Sequence, residues 1–72
     1  MNHQLYIARR EKRMKQADVA KLLHINKQTY HLKETGKLEF KISEAKRLAR
    51  IFGCSLNDLF WEDETNARIR NV

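Results

Sequence analysis

Few side chains in this 72-residue sequence could make or break a covalent bond. The single cysteine, Cys54, sits between Gly53 and Ser55 among apolar neighbours, which suits a buried small hydrophobe better than a nucleophile. One thiol excludes an internal disulfide and a cysteine-rich zinc site, and it fits a reducing cytosol. His24 and His31 stand seven apart with no further ligand, so no metal is expected. Asp58 and Glu62 need no catalytic reading. There are no paired carboxylates, no Ser/His/Asp set and no Gly-rich phosphate loop, and a core this small leaves no room for a deep pocket. Neither an enzyme nor a cofactor is expected. What remains is the chemistry of charge. Residues 1–37 hold nine lysines and arginines against three acids, whereas 38–72 hold six of each, so the whole formal charge of +6 lies in the first half. That asymmetry is the electrostatic footprint of a polyanion partner, nucleic acid foremost.

The elements that must carry these cations are helices. Hydrophobic residues make up 42% and charged residues 33%, which is globular composition, and the length fits one small domain. With no proline and two glycines, a fold built on many tight turns is disfavoured and an all-α fold is expected. No apolar run approaches the ~18 residues of a membrane span, and no signal-peptide core follows the start. A soluble, intracellular protein without membrane contact is expected.

Leu5 and Ala8, with Lys12 on the next turn, predict a helix near 2–12. Val19, Ala20 and Leu23 form one apolar stripe on a second, near 16–23. Asn26 is a good N-cap for a third helix running to about Thr35, and Gly36 fits just past its end. Lys37–Lys41 reads as a loop. Ile42, Ala45, Leu48, Ala49 and Phe52 predict a fourth helix stopped by Gly53. Ser55, with Asp58 three residues on, caps a fifth over Leu56–Trp61. The remainder, 62–72, reads as a polar tail, frayed unless a partner fixes it. Helices two and three, joined by a very tight connection, make a helix-turn-helix whose second member can lie in a DNA major groove.

Together these residues resemble the Cro/CI-type (XRE-like) helix-turn-helix regulators of phages and bacteria. The resemblance runs from about Leu5 to Phe60. It rests on Arg9, on Met14-Lys15-Gln16-Ala17-Asp18-Val19-Ala20, on Glu34-Thr35-Gly36-Lys37, and on Leu48-Ala49 followed by Phe52-Gly53-Cys54-Ser55-Leu56-Asn57-Asp58-Leu59-Phe60. It implies a five-helix, lambda-repressor-like domain over 1–61 in a bacterial cytoplasm. Arg9 and Glu34 would form a semi-buried ion pair between the first and third helices. Gln16 would grip a phosphate from near the start of helix two. Lys27 and Gln28 would open the recognition helix, Lys reaching guanine O6 or N7 and Gln reading adenine N6 and N7. Thr35 and Lys37 would touch backbone phosphates.

Three positions depart from the family pattern. Arg13 and His24 stand where relatives often have glycine; each can still adopt a left-handed conformation, histidine more readily than most residues, at a cost on the order of 1 kcal/mol. The third departure reverses an order: relatives usually place a polar, DNA-facing residue and then an apolar core residue before the Glu34 position. Here Leu32 precedes Lys33. Leu32 follows Gln28 by four and falls on the outward face, unless a small rotation tucks it inside. Lys33 falls toward the helix junction, where it needs a partner or must snorkel out. A leucine in the groove can touch a thymine methyl but makes no hydrogen bond.

Two functions follow. In the first, the chain binds operator DNA directly, normally as a homodimer on two half-sites, with Phe60, Trp61, Ile69 and Val72 as the available pairing surface. In the second it is a modulator resembling small phage anti-repressors, docking by Leu32 with Gln28, Tyr30 and His31 on a partner repressor. Gln16, Asn26, Lys27, Gln28, Tyr30, His31, Leu32, Thr35 and Lys37 make up the candidate contact set for double-stranded DNA or partner.

Overall fold

The structure is a computed structural model that describes residues 2–60 and 69–70. Expectations for Trp61, for 62–68, for Val72 and for the Ile69 side chain lie outside the described residues.

Five helices follow in order: α1 His3–Glu11, α2 Gln16–Leu23, α3 Lys27–Glu34, α4 Ile42–Phe52 and α5 Leu56–Phe60. Each start has a chemical cause. The Asn2 side chain accepts the Leu5 N–H at 2.9 Å, and Asn26 accepts that of Thr29 at 2.7 Å. Asp18 takes the Lys15 N–H and Glu44 the Lys41 N–H. Ser55 and Asp58 close a reciprocal capping box at 3.0 and 3.1 Å. The stops are equally local. Gly53 ends α4 at φ +66°, and Gly36 turns the chain after α3 at φ +92°. Arg13 and His24 hold the same left-handed region at φ +55° and +61°, the conformation glycine would take at these positions.

The apolar stripes meet in one core of Leu5, Val19, Ala20, Leu23, Tyr30, Phe40, Ala45, Leu48, Ala49, Phe52, Leu59 and Phe60. Helix α2 packs on α3 and α4, while α5 packs on α1 and α4. Phe40 is the aromatic hub: its ring lies 6.2 Å from that of Tyr30 and 5.5 Å from that of Phe60, the latter edge-on. Asn2 adds a polar tie across the fold, its amide donating to the Leu59 carbonyl and its N–H to the Glu34 carbonyl.

Three expectations change. Phe60, expected on a pairing surface, is 2% exposed because its ring packs edge-on against Phe40 in the core. The segment read as loop and the tail read as frayed meet in a minimal parallel pairing, β1 Phe40–Lys41 with β2 Ile69–Arg70. Phe40 must enter the core, and extended backbone there exposes an edge that a second segment can satisfy. Cys54 is half-buried at the core margin rather than fully enclosed, and burial followed by the Asp58 charge raises its pKa.

Candidate nucleic-acid interface

Helix α3 presents two unlike sides. Tyr30, Lys33 and Glu34 point inward and are buried. Lys27, Gln28 and His31 are exposed, and with Gln16 and the half-buried Leu32 they line a shallow groove of about 540 Å3. The α2–α3 turn sets this arrangement. Left-handed His24 returns its N–H to Lys21, and Ile25 returns its own to Ala20, so α3 starts after only three intervening residues.

Beneath the groove lies a polar network centred on Glu34, which is 1% exposed. The Arg9 guanidinium donates twice, Nε to Oε2 at 2.9 Å and Nη2 to Oε1 at 3.1 Å. The Tyr30 hydroxyl donates to Oε2 at 2.6 Å, and Gln16 Nε2 donates to Oε1 at 3.1 Å. Arg9 also ties the α1–α2 turn by donating to the Met14 carbonyl. Burial works to raise the Glu34 pKa, but the bonds from Arg9, Tyr30 and Gln16 outweigh it and the carboxyl ends below its ordinary range. Burial tends to lower that of Arg9, yet Glu34 holds it above its usual value. Burial and the Glu34 carboxylate together push the Tyr30 hydroxyl far upward. The ion pair therefore orients α3 on α1 as a charged unit.

Lys33 has found its partner. Its ammonium donates to Glu44 Oε1 at 2.5 Å and stands 5.8 Å from the centre of the Phe40 ring, with 9% of the side chain exposed. The same Glu44 oxygen accepts the Lys41 N–H, so one carboxylate both caps α4 and neutralises the reversed lysine. This pairing lets Leu32 stay on the outer side, outside the core cluster.

Tyr30 requires a correction. It was expected on the contact surface with Leu32, but its ring is fully buried and its hydroxyl bonds Glu34. Tyr30 precedes Lys33 by three and Glu34 by four and so shares their inner side of the helix. Asn26 is exposed with its carbonyl oxygen engaged in capping, and Thr35 Oγ1 turns back to the carbonyls of His31 and Leu32. Lys37 is exposed beyond the helix end.

Sequence reasoning missed two features. Gln16 is bound at both ends, to Glu34 and, through Oε1 at 3.2 Å, to His31 Nδ1. Also, a polar hollow of about 310 Å3 beside the α2–α3 turn gathers His24, Lys41 and Arg47 with Ser43 and Glu44. Lys41 and Arg47 come from the half of the chain whose charges cancel in sequence, so counting by halves concealed them.

A family model described as helix-turn-helix matches residues 5–59, which takes in all of α2 and α3 and the groove between them. The chain belongs to the helix-turn-helix family. It is accordingly an XRE-like DNA-binding regulator of transcription, in a family that is generally non-enzymatic. Neither the curated proteins nor the solved structures contain a match. Among the described residues no helix is long and apolar enough to cross a membrane, and no group of three or more His, Cys, Asp or Glu could hold a metal.

Proposed function

We propose that this helix-turn-helix chain binds operator DNA by laying the outer side of α3 in the major groove. The observation that carries the reading is the division of α3: Lys27, Gln28 and His31 lie exposed on one side while Tyr30, Lys33 and Glu34 anchor the other. A helix so anchored offers its donors and acceptors with little ordering left to do. Lys27 and Gln28 read base edges near its N-terminus, and Gln16 and Lys37 hold phosphates; Thr35 joins them by turning its single hydroxyl proton out from the His31 and Leu32 carbonyls. Gln16 keeps a second amide hydrogen for a phosphate after bonding Glu34. Dimer formation on two half-sites, and a place in a phage-type switch, belong to the same proposal.

Binding to a selected duplex should weaken linearly on a log–log plot against salt, and Lys37→Gln should reduce the slope by about 1. Gln28→Ala should relax preference at one base pair, at about 1–3 kcal/mol. Retained preference at every position would contradict the assignment.

Leu32 supports a second reading, the modulator that docks on a partner repressor. It is a half-buried apolar side chain in the groove between Lys27, Gln28 and His31. Under this reading the chain co-purifies with a repressor and Leu32→Asp abolishes the complex without unfolding the domain. A complex that survives Leu32→Asp removes it.

A further inference from the structure

The bonds running outward from Glu34 fix which nitrogen of His31 carries a proton. Glu34 receives donors from Arg9 and Tyr30, and an arginine can only donate, so the carboxyl is an ionised, acceptor-only group. Gln16 must therefore turn its amide NH2 toward Glu34, as it does at 3.1 Å. Its carbonyl oxygen is then the end that meets His31, 3.2 Å from Nδ1. A carbonyl oxygen only accepts, so Nδ1 must bear the hydrogen. In a neutral imidazole with Nδ1 protonated, Nε2 is a bare acceptor. Among the described residues no group hydrogen-bonds Nε2, and the ring is exposed in the groove lining beside Lys27, Gln28 and Leu32.

We infer that His31 is a specificity-determining residue whose tautomer is set by the Arg9–Glu34–Gln16 chain, so that its Nε2 accepts a hydrogen bond from an exocyclic base amine. In the major groove the donors are adenine N6 and cytosine N4, whereas guanine and thymine offer only acceptors there. Every base pair carries one such amine, so the selection is by strand: adenine or cytosine on one strand, against guanine or thymine. The neighbours work differently. Lys27 can only donate and Gln28 can do both, so His31 is the one side chain on this side of α3 restricted to accepting while neutral. Gln16 thus acts through His31 as a positioning residue, in addition to any phosphate it holds. The base readout rests on the DNA-binding reading above; the tautomer does not.

Two measurements on the full chain test this. Long-range 1H–15N spectra, recorded above the imidazole titration, should show His31 with a protonated Nδ1 and an unprotonated Nε2. Gln16→Ala should move it toward the Nε2–H form that unconstrained histidines prefer. A wild-type ring already in the Nε2–H form overturns the inference, as does an Nδ1–H form unchanged in Gln16→Ala. Selection from a random duplex pool should then give one position at which the wild type prefers adenine or cytosine over guanine or thymine by roughly five- to tenfold. His31→Ala, an exposed replacement, should erase that preference alone. Enriched duplexes without it contradict the inference and leave the DNA-binding reading standing. A pool with no enrichment contradicts the DNA-binding reading itself and removes the base readout with it.

Discussion

Single residues decide how α3 is held. The Glu34 carboxyl titrates below its ordinary range because three side chains donate to it. A group depressed in this way adds stability that is complete above the ordinary carboxylate pKa of about 4.3 and is lost as the pH falls through the folded value. Denaturant melts between about pH 7 and pH 3 should therefore show an acid loss that Glu34→Gln flattens. Glu34→Gln should also cost on the order of 3 kcal/mol near neutrality, since Arg9 loses its counter-charge. Parallel acid limbs for the two proteins would refute the assignment. The Lys33–Glu44 pair should respond unequally. Glu44→Ala strands a buried ammonium against the Phe40 ring and should cost on the order of 3 kcal/mol. Lys33→Met leaves Glu44 with the Lys41 N–H and gives the site an apolar chain of similar length, so it should cost less than about 1 kcal/mol. Equal losses in chemical denaturation would contradict this ordering.

At the scale of elements, the helices were legible because caps and stripes act locally. Asn26, the Ser55–Asp58 box, Gly36 and Gly53 each mark a terminus that the structure reproduces within a residue or so. The outward Leu32 and inward Lys33 followed from spacing against Gln28 and Thr29. What spacing could not supply was the partner: Glu44 lies eleven residues from Lys33, and only the packing of α4 brings it there. Tyr30 was misread because its phenol suits a surface as well as a core, and its burial depends on finding Glu34. The β1–β2 pairing was hidden for the same reason, being a contact between segments far apart in sequence. The α2–α3 turn carries its own test. Histidine at φ +61° is strained, so His24→Gly should raise stability by about 0.5–1 kcal/mol in denaturant melts. A loss of stability would mean that the His24 side chain contributes more than the strain removes.

Across the whole molecule, the two halves of the chain contribute unequally to charge and to cohesion. The positive first half supplies α1, α2 and α3, while α4 and α5 supply much of the apolar core, with Leu48, Phe52, Leu59 and Phe60. A domain of this size gains only a few kcal/mol from its core, yet it places an ion pair, a tyrosine and a glutamine beneath the groove. That investment makes sense if the geometry of α3, rather than maximal stability, is what the fold maintains. The most direct test is to map amide and side-chain NMR shifts as a selected duplex is titrated into the full chain. The largest changes should fall on Gln16, Lys27, Gln28, His31 and Leu32, with the core side of α4 unmoved. Changes concentrated elsewhere, with those five residues silent, would contradict the DNA-binding reading.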